Sequence, residues 1–182
     1  MARPFADIWQ YTREIYGALS EEEARCLYTI TNSLPNKSNF VEIGSYCGRS
    51  SSVMGLVAAD NDCDFVCVDC FITDAPNIEN VRDCFRNNML RIGAKYELYD
   101  MTSEEASKIY KKQIDFLFID GDHSYAGIKL DCDLWLPKLK KGGIVALHDY
   151  KSSWEGVKKA VDKLTGFELQ NTIDSIIIKK KL

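Results

Sequence analysis

The stretch of sequence that decides the fold is IDFLFIDGDHSYAGIKLDCDLWLPKLKKGGIVALHDY, from Ile114 to Tyr150. It contains two short apolar runs, 116–119 and 144–147, and each stops abruptly at charged residues. Such runs are typical of buried parallel strands whose carboxyl ends open onto a polar pocket. Since the crossover between two parallel strands is right-handed, we expect the tips of these strands to lie side by side. Both histidines of the chain, His123 and His148, are at these tips.

The segment between the two runs predicts a crossover helix. A proline, Pro137, lies near the end of this segment. Its apolar residues recur at helical spacing: Leu130, Leu134, Trp135 and Leu139. Elsewhere we predict strands at 40–43, 65–68 and 96–99, and helices at 50–59, about 78–90 (after Pro76), from Ser103 onward and at about 154–164. This alternation indicates a three-layer α/β sheet.

The two ends of the chain depart from this alternation. Near the start, Ser20 and Glu23 form a capping box that predicts a helix to about Ser33. At the end, 167–169 and 173–179 predict two strands whose loop is too short for a parallel crossover. They must form an antiparallel hairpin, which places a reversed strand at one edge of the sheet. We therefore divide the chain into an N-terminal helical cover, 1–39, and a sheet domain, 40–182, within a single domain overall.

Composition excludes several classes of protein. A chain of 182 residues with 46% hydrophobic residues is long enough for one well-packed domain. A formal net charge of −4 argues against nucleic acid or a membrane surface as partner. No apolar run approaches about 18 residues, and no secretory signal is evident, so we expect a cytoplasmic protein without a membrane span.

The chain has seven cysteines, an odd number at irregular spacing, which suits a reducing compartment better than a disulfide framework. Cys67 and Cys70 form a C-x-x-C pair at the end of a predicted strand. Core packing and a zinc or redox role are both open for this pair, although no second pair completes four zinc ligands.

The glycine loop EIGSYCGRS, residues 42–50, follows the first predicted strand. It has neither the dinucleotide pattern G-x-G-x-x-G nor the P-loop ending G-K-S/T. Its G-x-x-x-G spacing, preceded by Glu42, suits a ligand with an amine and a cationic centre better than a pyrophosphate. Asp69 ends the second predicted strand, where an acidic residue can accept hydrogen bonds from two ribose hydroxyls.

These residues carry a resemblance to a known family. The VEIGSYCGRS loop, 41–50, and the block that begins FIDGDHSY and ends HDY, 118–150, resemble class I S-adenosylmethionine-dependent methyltransferases. The similarity is greatest to a subgroup of metal-dependent macrolide sugar O-methyltransferases and cephalosporin hydroxylase-like proteins. It implies a Rossmann-like methyltransferase sheet, mostly parallel, with a C-terminal antiparallel hairpin.

The resemblance also implies which residues bind S-adenosylmethionine. The loop would lie under the methionine part, Asp69 would hold the ribose, Cys70 would flank the adenine, and an acidic residue with its neighbour would meet the adenine edge. The full cofactor-binding set is Glu42, Gly44, Ser45, Tyr46, Ser50, Asp69, Cys70, Asp100, Met101 and Asp120.

A divalent metal ion is one expectation at the two strand tips. Asp120 and Asp149 should approach each other, and two carboxylates in one pocket are costly unless they share a cation or a proton. The resemblance implies metal ligands at Asp120, His148 and Asp149. Imidazole suits zinc, manganese or iron better than magnesium, so either the ion differs or His148 orients Asp149. The alternative is structural: Asp122 and Ser124 cap the next helix, and Asp149 starts a turn.

His123 is the candidate general base. An imidazole can accept the proton that a hydroxyl loses during methyl transfer, and the matching histidine of the sugar enzymes has this proposed role. A structural alternative is a hydrogen bond between His123 and the backbone of its own turn.

The sequence favours O-methylation of a small-molecule hydroxyl. Methylation of another nucleophile or of a macromolecule, and a non-enzymatic cofactor-binding role, remain open because fold does not dictate substrate. Four aromatic residues could line an acceptor pocket or belong to the core: Trp9, Tyr11, Tyr150 and Trp154. The aromatic N-terminal segment further predicts a homodimer or a higher oligomer.

Overall fold

A computed structural model of the chain describes residues 3–72, 80–151 and 153–182. The helices are α1 (Phe5–Thr12), α2 (Glu21–Ser33), α3 (Arg49–Asp60), α4 (Val81–Ile92), α5 (Ser103–Ile109), α6 (Tyr125–Trp135) and α7 (Glu155–Val161). The strands are β1 (Asn39–Ile43), β2 (Asp64–Val68), β3 (Glu97–Tyr99), β4 (Ile114–Ile119), β5 (Leu139–Leu147), β6 (Phe167–Ile173) and β7 (Ile176–Lys181).

All seven strands form one sheet in the order β3-β2-β1-β4-β5-β7-β6. The first five are parallel, and β7 is antiparallel to both β5 and β6. Helices cover both faces, which confirms the predicted three-layer sheet with its C-terminal hairpin. Strands β4 and β5 pair directly, from Phe116 opposite Ile144 to Ile119 opposite Leu147, so their tips are neighbours as expected.

The hairpin corrects one detail of the prediction. The reversed strand β7 is not at the edge of the sheet: it lies between β5 and the edge strand β6. The side chains explain this order. Ile176, Ile177 and Ile178 are buried, whereas most of β6 is exposed and polar. An apolar strand gains most from the inner position, and a polar strand suits the edge because it discourages pairing with other chains.

Two predicted helix boundaries differ from the bounds of the described helices. The crossover helix ends at Trp135, a 3-10 turn (Leu136–Lys138) follows, and Leu139 opens β5 instead of continuing the helix. Pro137 explains the break because it has no N–H to donate and its ring clashes with the preceding helical turn. The predicted start of the helix at 78, after Pro76, lies outside the described residues; the described helix begins at Val81.

The core has two layers. On one face, the phenylalanines of β1, β2 and β4 pack against α1 to α4, and on the other the branched aliphatic residues of the same strands pack against α5 to α7. This division follows from the period of two along each strand: Phe40 and Glu42 face the first layer, and Val41 and Ile43 face the second.

The N-terminal residues belong to the first layer. Ser20 and Glu23 form the predicted capping box at the start of α2. Phe5 and Ile8 of α1 are buried in the same cluster as Leu27 of α2. Part of the apolar surface on which the oligomer prediction rested is therefore covered within the chain, and the oligomeric state stays a prediction. Among the described helices, none is long and apolar enough to cross a membrane.

Strands β1 and β4 approach so closely at their tips that only glycine fits at the end of β1. Gly44 has a φ of +86°, and a Cβ there would lie 2.1 Å from the carbonyl oxygen of Asp120. Both the backbone conformation and the space therefore require glycine at this position.

We predict that Gly44→Ala destabilises the protein far more than Gly93→Ala. Both glycines have positive φ, but a Cβ on Gly93 would meet nothing within 4 Å. Gly93→Ala should cost about 1–2 kcal/mol through backbone strain alone. Gly44→Ala adds a clash with backbone and should cost several kcal/mol more, measured by urea unfolding. Equal losses in the two variants would contradict the close approach of β1 and β4.

Candidate active site

The glycine loop is held in place by Asp69, at the tip of β2. One carboxylate oxygen of Asp69 accepts hydrogen bonds from the backbone N–H groups of Ser45 and Tyr46, each at 2.8 Å. The other oxygen accepts from Phe71 N at 2.6 Å. Each carboxylate oxygen can accept more than one hydrogen bond, so Asp69 keeps capacity for a ligand.

Glu42 supports the loop from beneath. Its side chain is fully buried and accepts hydrogen bonds from the hydroxyls of Ser45 at 3.0 Å, Ser50 at 2.6 Å and Ser51. Burial raises the pKa of Glu42 to about 7, and the three hydroxyls oppose a further rise. The structure thus places Glu42 under the loop as an internal acceptor that fixes the start of α3.

A cavity of about 990 Å³ opens above these strand tips. Several predicted cofactor residues lie in its wall: Gly44, Ser45, Tyr46, Ser50, Asp69, Cys70, Met101 and Asp120. Two predicted residues do not. Glu42 is beneath the loop, and Asp100 forms ion pairs with Arg82 at 2.9 Å and Arg86 at 3.1 Å.

The N-terminal segment forms another wall of the cavity. Residues 16–19 line it, and the guanidinium of Arg49, the arginine of the G-R-S sequence, holds this segment in place. Arg49 donates hydrogen bonds to the carbonyls of Ile15 at 2.5 Å, Leu19 at 3.0 Å and Arg13 at 2.9 Å. Residues 13–19 have no periodic pattern, so no signal in the sequence predicts this wall.

The tips of β4 and β5 bring two carboxylates and both histidines together. His123 Nε2 lies 3.0 Å from Asp149 Oδ2 and 3.5 Å from Asp120 Oδ1. His148 Nδ1 lies 3.3 Å from each of the same two oxygens. His148 is buried, whereas His123 is partly exposed and lines the cavity. The imidazole of His123 is therefore the one that a ligand can reach.

The carboxylates strongly affect the two imidazoles. Hydrogen bonds to Asp120 and Asp149 raise the pKa of His123 to about 9. Burial by itself would lower the pKa of His148, but the neighbouring carboxylates outweigh it and raise the pKa to about 12. Burial would likewise raise the pKa of Asp149, yet its hydrogen bonds with the two histidines lower it. The carboxylates thus stabilise the charged forms of both imidazoles, and the imidazoles stabilise the ionised form of Asp149.

The comparisons with known proteins agree with this geometry. Residues 41–150 match a family of methyltransferase domains, and this match spans more than half of the 182 residues. The chain belongs to this family. The predicted class I methyltransferase fold is thereby confirmed, and the protein is a methyltransferase.

Solved structures share the fold of this methyltransferase at low sequence identity. An O-methyltransferase from Bacillus cereus in complex with S-adenosylhomocysteine is 15% identical with a TM-score of 0.68, over 98% of this chain and 90% of the other. An rRNA methylase from Streptococcus thermophilus is 15% identical with a TM-score of 0.67, over 91% and 99%. The TDP-rhamnose 3′-O-methyltransferase of calicheamicin biosynthesis is 16% identical with a TM-score of 0.64, over 89% and 81%.

Asp122 and Ser124 of the methyltransferase have the structural role considered above. Ser124 Oγ accepts a hydrogen bond from Gly127 N at 3.0 Å and so caps α6, and Asp122 accepts from Ser124 N at 2.8 Å. Asp149 has a φ of +61°, a conformation that is costly for a residue other than glycine. The capping alternative therefore holds for Asp122 and Ser124, while Asp149 faces the histidines.

The four aromatic residues have different surroundings. The indole of Trp154 stacks on the imidazole of His123, with ring centroids 5.0 Å apart. Tyr150 donates a hydrogen bond to Asp162 at 2.8 Å, Trp9 stacks on Phe5 in α1, and Tyr11 is exposed. Of these four residues, Trp154 is the one that stacks on a residue of the candidate site. The N-terminal segment contributes a different aromatic residue, Tyr16, to the cavity wall.

His148 is tied to the N-terminal part of the methyltransferase by a buried carboxylate. Glu23 Oε2 lies 3.3 Å from His148 Nε2 and accepts a hydrogen bond from Ser20 N at 2.9 Å. Glu23 Oε1 accepts from Ser175 N at 3.0 Å and Ser175 Oγ at 2.6 Å, in the turn between β6 and β7. Glu23 thus joins α2, the terminal hairpin and the site through one side chain.

We predict that Glu23→Gln costs about 3–5 kcal/mol of unfolding free energy. Each oxygen of the Glu23 carboxylate faces two donors, so the amide nitrogen would oppose two of them. The His148 cation would also lose one of its three carboxylate neighbours. The matched control is Glu22→Gln on the exposed side of the same turn, with an expected change within about 0.5 kcal/mol. Denaturant unfolding measures both, and equal effects would contradict the role of Glu23.

Proposed function

We propose that this methyltransferase uses S-adenosylmethionine to methylate a hydroxyl group of a small molecule. The observation that carries the proposal is the continuity of the cavity, because one space joins the glycine loop and Asp69 to His123. A methyl donor anchored at the loop and an acceptor held at the strand tips would therefore meet in the same space.

The loop suits the cofactor in shape and in charge. Gly44 leaves space at the end of β1, and Gly48, the N-cap residue of α3, has a φ of +90°. Because neither residue has a side chain, backbone atoms form the floor beneath a ligand. Asp69 is held by three N–H groups and has remaining acceptor capacity for the ribose hydroxyls. The carboxylate of Asp69 in the cavity wall favours a ligand with a cationic centre.

His123 would accept the acceptor's proton. When bound, S-adenosylmethionine would supply an electrophilic methyl group. The hydroxyl oxygen would bond to the methyl carbon, and the electron pair of the broken C–S bond would stay on the sulfur. The imidazole of His123 takes up the proton that the oxygen loses, and Asp149, 3.0 Å from its Nε2, stabilises the imidazolium that results. Because the sulfonium is positive, it favours the neutral imidazole that the reaction requires.

A divalent ion has candidate ligands in the same cluster. Asp120, His123 and Asp149 each offer one donor atom, and these atoms lie within 4.8 Å of one another. Two carboxylates and an imidazole fit manganese, iron or zinc as well as magnesium. Such an ion would supply charge stabilisation to the acceptor oxygen. His148 faces the same carboxylates from the buried side and would orient them.

Isothermal titration tests the cofactor part of the proposal. We expect S-adenosylmethionine and S-adenosylhomocysteine to bind and NAD to bind far more weakly, since the loop lacks the dinucleotide pattern. Methyl transfer from labelled S-adenosylmethionine is then measured with hydroxyl-bearing small molecules and, in a separate arm, with ribosomal RNA. Failure of both cofactor ligands to bind would contradict the proposal; transfer to RNA alone would contradict the small-molecule acceptor.

We predict that His123→Gln lowers turnover by roughly two to four orders of magnitude, the usual loss for an acid–base group, while the affinity for S-adenosylhomocysteine stays nearly unchanged. The control is His148→Gln, which disturbs the buried side of the cluster and should also lower stability, because it leaves Glu23 without its cation. Wild-type turnover in His123→Gln would contradict the base assignment.

Chelation bears on the two roles that the imidazole of His123 can have, because an imidazole that binds an ion is a much weaker base. Turnover that survives EDTA, with no bound metal in elemental analysis, supports the base. Turnover that is lost with EDTA and restored by manganese or magnesium shows that an ion takes part, and the metal content of His123→Gln then shows whether His123 is one of its ligands.

A further inference from the structure

Asp131 is a buried acidic residue that the proposed chemistry does not use. It lies in α6 and is 4% exposed, yet it forms part of the cavity wall. Its Oδ1 accepts a hydrogen bond from Ser103 Oγ at 2.5 Å, and Ser103 Oγ accepts one from Trp135 Nε1 at 2.8 Å. The D-x-x-x-W part of the deciding stretch is therefore a hydrogen-bonded unit that fixes the orientation of one carboxylate.

The second oxygen of Asp131 is directed to the cavity. No donor to Oδ2 is found among the described residues, and a Cβ on Gly121 would lie only 3.2 Å from it. The absence of a side chain at Gly121 therefore leaves this oxygen accessible. Burial raises the pKa of Asp131 to about 6, so at neutral pH the group is mostly an ionised hydrogen-bond acceptor.

The position of Asp131 in the cavity indicates which part of a ligand it meets. Asp69, at the tip of β2, lies between the cavity end at His123 and the end at Met101 and Ser103, after β3. Asp131 reaches this second end through its hydrogen bond with Ser103, while its Oδ2 lies beside Gly121, after β4. If Asp69 holds the ribose and the sulfonium points to His123, the purine base must occupy the other end. Leu130, which is partly exposed, also lines the cavity there and offers an apolar contact for a flat ring.

Asp100 leaves this end of the cavity without its expected acceptor. The family resemblance implies Asp100 at the adenine edge, but the structure pairs Asp100 with two arginines outside the cavity wall. Asp131 is the carboxylate that reaches the cavity near Met101 and Ser103. A base that fills this end needs an acceptor for its exocyclic amine, because a buried unpaired donor is costly.

We propose that Asp131 recognises the adenine of the cofactor, with Oδ2 accepting a hydrogen bond from the exocyclic amine. The proposal rests on the proposed use of S-adenosylmethionine. Ser103 and Trp135 are positioning residues, because they hold Oδ1 and so aim Oδ2. The carboxylate also confers selectivity: a base with an oxygen in place of the amine would set two acceptors against each other.

The test is calorimetric titration with three ligands that differ at position 6 of the purine: S-adenosylhomocysteine, its analogue without the amine, and S-inosylhomocysteine, which also carries a proton on N1. For the wild-type protein we expect both analogues to bind roughly 10- to 100-fold more weakly, the usual consequence of one lost hydrogen bond at a buried acceptor. In Asp131→Asn, whose amide can donate, S-adenosylhomocysteine should weaken and S-inosylhomocysteine should gain relative affinity.

The control is Asp133→Asn, on the exposed side of the same helix and paired with Lys129. It should leave all three affinities unchanged. Equal affinity of the wild-type protein for S-adenosylhomocysteine and the analogue without the amine would overturn the proposal, and this arm needs no variant to fold. An equal loss for all three ligands in Asp131→Asn would overturn it as well. If the wild-type protein binds no S-adenosylhomocysteine at all, the proposed function fails first.

Discussion

The site depends on the position of β1 in the sheet. Strand β1 lies between β2 and β4, and the helices that follow β1 and β4 cover opposite faces. Loops that leave in opposite directions open a crevice at the carboxyl ends of the strands, which is where open α/β sheets bind ligands. The backbone contact between Gly44 and Asp120 sets the floor of that crevice. The cavity is thus a consequence of strand order.

Two buried carboxylates organise this crevice from one face of the sheet, the face covered by α1 to α4. Glu42 holds three serines beneath the glycine loop, and Glu23 holds His148 and the terminal hairpin. A buried carboxylate is costly without donors, so each of them fixes the groups that surround it. Asp69 and His123, the side chains proposed to bind the cofactor and to act as base, lie above them in the cavity wall.

The tips of β4 and β5 combine charge with access. His148 is enclosed by Glu23, Asp120 and Asp149, whereas His123 contacts the two aspartates from the cavity side. The buried imidazole supplies the positive charge that two adjacent carboxylates require. The exposed imidazole is then available for chemistry. This division of roles gives a physical reason for two histidines at tips where the sequence alone suggested a metal or a shared proton.

The sequence by itself determined the elements and the edge of the sheet at which the site lies. Apolar runs that end in glycine and acidic residues are local signals, and the handedness of the crossover places their tips together. The tertiary structure alone decided which of those polar residues reach the cavity. Glu23 meets His148 across 125 residues, Asp131 meets Ser103 across 28, and Asp100 turns to arginines of α4. Such contacts leave no local pattern, because they depend on how helices and loops from distant parts of the chain pack over the strands.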